Sequence, residues 1–357
     1  MKILFVYYYP SGGVETLARQ RSKALKNMGI KFHFLYFYKG PGLQNINETV
    51  FVTNNDQNIQ NIIKREKYDA MIVCSDYTFL PRARRLGYKG PLIYEVQGLG
   101  PIYAANKYLK SGQPIVQKYA NCLLYPRTPH LMRLMDEYFP LKAKHCFHNC
   151  IDTETFRYQD GLPAESAQLI GWVGRLEDNK NWKDLLEIAA SLIKRKFKMK
   201  IWIFTDDTLD KPEQVKAFQL KVQQLKLKEF ITMYKNVPNK EMPTYYTRIG
   251  NSGGFLCSTS KTEGFGYAIV EAMSCLCPVV TTDSDGIKSF IFHNKTGKIF
   301  PHGNISRATA EAADLLLNTS LKNSIRQNAR KYVTENLSPQ IYANNFKNLL
   351  KSLHLNV

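Results

Sequence analysis

Two carboxylates eight positions apart, Glu263 and Glu271, enclose a Gly-Phe-Gly turn and the start of an apolar helix. The glycines at 264 and 266 let backbone amides approach a ligand, and a helix N-terminus favours an anion. The spacing puts Glu263 in the loop before the helix and Glu271 about two turns along it. An anion at that end, with a hydroxyl-rich group against each carboxylate, describes a nucleotide sugar better than most ligands. Arg175 and Lys180 share one polar turn farther up the chain. Two fixed cations suit a diphosphate, Arg as a planar fork and Lys as a point charge. Glu95 and Gln97 end another apolar run and are candidates for polar contacts in a cleft, although Gln97 equally suits an amide that ties down loop backbone. Gly12-Gly13, after the first apolar run, is a place for a ligand phosphate.

These residues need a scaffold, and the periodicity supplies one. Lys2 to Tyr9 is an apolar run of strand length, and the turn Pro10-Ser11-Gly12-Gly13 closes it. From Val14, the residues Leu17, Ala18, Arg21, Leu25 and Met28 recur at helical spacing, and Lys31 to Tyr38 is the next strand. Strand, glycine turn, helix, strand implies a parallel sheet. The first turn lacks the full G-x-G-x-x-G spacing, which disfavours a simple dehydrogenase. The alternation continues through strands near residues 70–74, 91–96, 121–125 and 144–151. It breaks at Tyr158–Ser166, then restarts with a strand at 169–173, a polar turn and a helix at 182–195. We therefore expect two Rossmann-like α/β domains facing a cleft. Residues 1–157 form one domain, 158–167 a linker and 168–339 the other, and a last amphipathic helix lies in 340–357.

A chain of 357 residues usually divides into two domains. No run approaches the 18 apolar residues of a membrane span, and Met1–Tyr7 reads as a first strand, not a signal peptide. Seven cysteines at irregular spacing favour reduced thiols and a cytoplasmic protein. His145, Cys146, His148 and Cys150 alternate as a half-buried strand does; closed zinc sites draw ligands from turns or separated pairs, so no metal is expected there. The formal charge is +19, and residues 1–150 carry +12 of it, with 21 Lys and Arg against 9 Asp and Glu. Such a balance favours anionic partners, including the headgroups of the membrane's inner face, or is a solvated basic face. No nucleic-acid-binding module appears.

Taken together, Pro10–Glu15, His148–Asp152 with Phe156, Gly174-Arg175-Leu176 with Lys180-Asn181, and the E-x7-E pair Glu263 and Glu271 resemble the retaining glycosyltransferases of the large family four. That resemblance implies the GT-B architecture, with 1–157 as the acceptor domain, 168–339 as the donor domain and a last helix in 340–357 that returns to the first. Gly12 and Gly13 would approach donor phosphate or acceptor through backbone. Arg175 and Lys180 would hold the diphosphate and Glu263 would face the donor sugar. The amides of Phe265, Gly266 and Tyr267 would lie against sugar and phosphate, with Val237 near the base and Glu271 on the ribose hydroxyls. The chain departs from the family pattern twice. Gln97 stands where many relatives carry a His, and an amide cannot accept a proton. After the strand at 278–282, Asp285-Gly286-Ile287-Lys288-Ser289 lacks the usual Glu.

The resulting expectation is a retaining hexosyltransferase, free of metal and cofactor. It would take a nucleotide sugar, most readily a UDP-hexose, to a glycan, lipid-linked or phosphate-bearing acceptor of the cell envelope. Arg175 and Lys180 would take the place of a metal at the leaving group. A nucleotide-sugar epimerase or phosphorylase of the same fold, or a non-catalytic nucleotide- or glycan-binding protein, would use many of the same residues.

Overall fold

Ile3 to Val6, Phe32 to Tyr36 and Ala70 to Cys74 are nearly unbroken apolar runs, which is what a strand covered on both faces requires. The computed structural model, which describes residues 1–206 and 211–356, pairs them at the centre of a parallel sheet. The chain forms two units, Met1–Asp152 with Leu337–Val357, and Thr153–Asn336.

In the first unit the strands are β1 (Lys2–Tyr7), β2 (Lys31–Tyr36), β3 (Thr49–Val52), β4 (Ala70–Cys74), β5 (Leu92–Glu95), β6 (Cys122–Tyr125) and β7 (Lys144–Cys146), in the order β3-β2-β1-β4-β5-β6-β7. Helices α1 (Gly12–Lys26), α2 (Asp56–Glu66), α3 (Phe79–Arg85), α4 (Ile102–Tyr119) and α5 (Pro129–Tyr138) make the crossovers. The strand order reverses between β1 and β4, and ligands of open α/β sheets collect at the carboxyl ends of such a junction.

The second unit repeats the plan. Its strands β8 (Gln168–Val173), β9 (Met199–Thr205), β10 (Ile231–Lys235), β11 (Phe255–Ser258), β12 (Val279–Thr282) and β13 (Lys298–Phe300) are ordered β10-β9-β8-β11-β12-β13, all parallel, so its reversal falls between β8 and β11. Helices α6 (Trp182–Lys194), α7 (Pro212–Gln224), α8 (Met242–Asn251), α9 (Tyr267–Ser274), α10 (Ile305–Leu317) and α11 (Thr319–Asn336) surround it. The last helix, α12 (Pro339–Ser352), packs in the first unit, where Phe346 meets Phe32 with ring centroids 6.4 Å apart.

Three expectations shift. Residues 158–167 are not a detached linker. The Tyr158 hydroxyl accepts from Asn251, Gln159 accepts from Thr244, and Glu165 pairs with Arg248, all inside the second unit. Polar residues without periodicity look like a linker until tertiary partners take up their side chains. The strand read over 144–151 ends at Cys146, because the backbone leaves the edge of the sheet there. Glu271 stands one turn into α9, not two, since Gly266 caps the helix later than the spacing implied. Among the described residues all seven cysteines are free thiols, and no helix is long and apolar enough to cross a membrane.

Candidate functional site

The turn after β8 and the loop after β11 flank the strand-order reversal of the second unit, and the sequence binds them to each other. The side chain of Asn179 donates to the Thr262 carbonyl at 3.1 Å and accepts from the Thr262 amide at 3.2 Å, while its own carbonyl accepts from the Lys261 amide at 2.8 Å. Thr259 donates to the Lys180 carbonyl at 2.9 Å and accepts from the Trp172 indole at 3.0 Å. Lys261 adds an exposed pair with Asp178 at 2.7 Å. Gly174 leaves the room that this arrangement needs, because a Cβ there would sit 2.9 Å from the Trp172 ring and 3.1 Å from the stem of Lys180.

Lys180 and Glu263 meet at the centre of this seam. The ammonium lies 2.5 Å from Glu263 Oε1, which also accepts from the Ser260 hydroxyl at 2.7 Å, and both side chains keep part of their surface. A charge-assisted bond of this kind orients both partners. Lys180 retains N–H bonds that no described residue takes, so it can hold Glu263 and an anion together. Arg175 lies in the same turn, over a third exposed, 3.2 Å from Glu177.

Glu271 has a different environment. It is buried, and its two oxygens accept from Asn239 at 3.2 Å and from the Tyr246 hydroxyl at 2.9 Å. Burial, then the charge of Glu271, keeps the Tyr246 proton on well above the ordinary tyrosine value. Asn239 closes the loop that begins at Val237, so that loop and the α9 carboxylate come together. Gly266 has φ +79°, a conformation that glycine adopts without strain, and precedes the first turn of α9. Phe265 is buried between Tyr267 and Phe290, at ring centroids of 5.0 and 5.5 Å. The Asp285–Ser289 segment buttresses the loop. The Gly286 amide donates to the Glu263 carbonyl at 3.1 Å, and a Cβ at 286 would fall 2.2 Å from that oxygen.

The first-unit candidates separate into open and sealed. Gly12 and Gly13 open α1 and are exposed. Glu95 has no exposed surface: Arg21 engages both of its oxygens, at 3.0 Å for Oε2, and Gln97 donates to Oε1 at 2.7 Å. The expectation of a ligand contact at Glu95 therefore gives way to a structural role, because a carboxylate enclosed by its own partners cannot reach a ligand. Gln97 in turn accepts from Asn149 at 2.7 Å, so its amide ties strand end to loop. Among residues 145–150, the Cys146 thiol faces the Pro126 carbonyl and His145 bonds Ser352. No group of three or more His, Cys, Asp or Glu among the described residues could hold a metal ion.

Asn179, Ser260, Asn239 and Tyr246 were not singled out from the sequence. Asn179 lay in the polar turn already marked, and its neighbours gave the only signal. Tyr246 is a core position on α8 whose hydroxyl matters only because Glu271 lies beside it.

The profile of the family described as Glycosyl transferases group 1 matches residues 154–332, half of the chain. The D-inositol 3-phosphate glycosyltransferase of Corynebacterium urealyticum is 28% identical over 199 residues, which are 53% of this chain and 45% of that protein. The capsular polysaccharide biosynthesis glycosyltransferase CapM of Staphylococcus aureus is 27% identical over 179 residues, 48% of this chain and 43% of CapM. The chain thus spans about half the length of the curated relatives it matches. Among solved structures, Anabaena Alr3699/HepE in complex with UDP-glucose superposes with a TM-score of 0.84 at 17% identity, covering 99% of this chain and 100% of the other. That likeness shows the GT-B fold in its two parallel-sheet halves, and the family profile lies on the half that carries Arg175, Lys180, Glu263 and Glu271. The chain belongs to the group 1 glycosyl transferases.

Proposed function

We propose that this chain is a retaining glycosyltransferase that moves a hexosyl unit from a nucleotide sugar, a UDP-hexose, to a glycan, lipid-linked or phosphate-bearing acceptor of the cell envelope. The observation that carries this reading is the Lys180–Glu263 pair, held where the two loops of the second unit are bound together. The bond between the anomeric carbon and the diphosphate oxygen breaks. Positive charge grows on the sugar and negative charge on the departing diphosphate. Arg175 and Lys180 neutralise the diphosphate without a metal ion, and Glu263 faces the sugar. The acceptor hydroxyl forms the new bond on the face that the diphosphate leaves, and its proton passes to a departing phosphate oxygen. Glu271, Asn239 and the Val237 loop hold the nucleoside, and the amides from Phe265 to Tyr267 receive phosphate and sugar.

Relatives support the reading by what they are named for. Alr3699/HepE was solved with UDP-glucose, CapM belongs to capsular polysaccharide biosynthesis, and a Staphylococcus aureus relative is a poly(ribitol-phosphate) α-N-acetylglucosaminyltransferase. The basic first half suits an acceptor or a membrane surface of negative charge, on the cytoplasmic side.

The test is a mass-spectrometric screen of nucleotide sugars with envelope glycan fractions, followed by two variants. Lys180→Ala lowers sugar transfer by roughly 10²–10³-fold, as loss of one preorganised charge at a developing anion does. Glu263→Gln lowers it by roughly 10²-fold while UDP binding persists. Unchanged transfer in both variants would overturn the assignment, and conversion of a nucleotide sugar without any acceptor would point to an epimerase.

A further inference from the structure

The carboxyl end of the first unit's sheet has its own constructed feature at the β1/β4 reversal, outside the groups assigned so far. Ser75, just past β4, has φ +61°, a conformation that residues with a side chain rarely adopt and that clusters at functional sites. Its amide donates to the Glu95 carbonyl at 2.8 Å and its carbonyl accepts from the Tyr108 hydroxyl, so the strained turn is locked. The turn delivers Asp76, which is 7% exposed. Asp76 Oδ1 accepts from the Thr78 amide at 3.0 Å and from its hydroxyl at 2.5 Å. Among the described residues nothing bonds Oδ2.

Tyrosines gather around this carboxylate. Tyr77 and Tyr108 meet at 4.8 Å between ring centroids, and Tyr8 lies near Tyr108. The Tyr77 ring fits only because Gly112 interrupts α4: a Cβ there would stand 2.6 Å from the ring. A glycine inside a helix is unfavourable by itself, so the slot is maintained at a cost. Tyr94, wholly buried on β5, has a hydroxyl with no hydrogen-bond partner, and the ionisable groups that act most on it are Tyr108, Cys74, Tyr8 and Asp76. Orphaned buried hydroxyls are rare and call for a ligand or a water. Among the described residues no Lys or Arg pairs with Asp76.

We infer that Asp76, framed by Tyr8, Tyr77, Tyr94 and Tyr108, forms a binding site for an uncharged, hydroxyl-rich sugar, the reacting end of the acceptor. The carboxylate accepts from a sugar hydroxyl, the ring faces pack on the sugar's C–H surface, and the Tyr94 hydroxyl gains a partner. A phosphate at the same place would meet an uncompensated carboxylate, so any acceptor charge lies farther along the molecule. This inference rests on the transferase reading for the word acceptor, but the site stands on its own geometry.

The test titrates the full-length protein, without nucleotide, with methyl hexosides and with hexose 6-phosphates by saturation-transfer NMR, and with UDP by calorimetry. At least one methyl hexoside binds, and no 6-phosphate binds more tightly. Asp76→Asn, which keeps Oδ1 and the turn, weakens the hexoside by about tenfold or more, and Tyr94→Phe weakens it by about two- to tenfold. UDP affinity stays the same in both variants. Absence of hexoside binding, affinity that neither substitution changes, or tighter binding of the 6-phosphates overturns the inference. Failure of the unaltered protein to bind UDP, with hexoside binding intact, overturns the transferase reading instead.

Discussion

Each unit contains a cation–carboxylate pair near the carboxyl end of its sheet, and the two pairs have opposite uses. Arg21 and Glu95 in the first unit have no exposed surface, and Tyr342 from α12 completes the arrangement by accepting from Arg21 at 2.6 Å. Burial pulls the Arg21 guanidinium down, but Glu95 and then Tyr342 raise it by more, so it stays charged. Lys180 and Glu263 in the second unit keep part of their surface, and the lysine keeps unused donors. A sealed pair whose hydrogen bonds are all internal holds elements together, here α1, β5 and α12. A half-open pair with spare donors is poised for a third charge.

The largest expected effect breaks the sealed pair. Arg21→Ala leaves the Glu95 charge buried without its partner and destabilises the protein by about 3–5 kcal/mol, read from urea unfolding. The double change Arg21→Met with Glu95→Leu returns most of that loss, because neither charge then remains to be desolvated. Lys180→Ala, by contrast, changes unfolding by under about 1 kcal/mol, since the pair is partly exposed, although it lowers transfer by roughly 10²–10³-fold. Equal destabilisation by the two single changes would erase the distinction.

A smaller effect sharpens the second half of the comparison. Gly286→Ala sets a methyl group against the Glu263 carbonyl, where the spacing is 2.2 Å, and the neighbour is backbone that cannot swing aside. The Glu263 loop must move, at about 1–3 kcal/mol. Sugar transfer falls with it, while the first unit's sugar site still binds methyl hexosides. Loss of stability with transfer intact would show that the loop tolerates displacement.

The first unit also carries a pH dependence. Burial, then the charge of Arg127, lowers His148 from its ordinary 6.5 to about 4. The unfolded chain takes up this proton first as pH falls, so stability decreases from about pH 6.5 toward about pH 4. His148→Asn flattens that slope in urea midpoints measured between pH 7 and 5. A slope that the substitution leaves unchanged would assign the effect to other groups.

Much of this was legible in residue order. The two βαβ starts at Lys2 and Leu169, the parallel sheets, and the grouping of Arg175 with Lys180 and of Glu263 with Glu271 all follow from local spacing, because strand and helix periods and turn glycines act over a few residues. Edge strands β3 and β13 were not legible, since short strands on a sheet's margin need no continuous apolar run. Neither was α4, whose interior Pro114 and Gly112 argue against a helix that packing nevertheless maintains.

Tertiary structure alone decided what each carboxylate does. Glu95 ends an apolar strand and Glu263 follows one, and no neighbour in sequence shows which of the two is sealed. Arg21, 74 positions from Glu95, and Tyr342, 321 positions from Arg21, seal the first. Lys180, 83 positions away, leaves the second partly open. A carboxylate's role depends on which charges and how much water surround it, and both are set by partners that the fold brings from far along the chain.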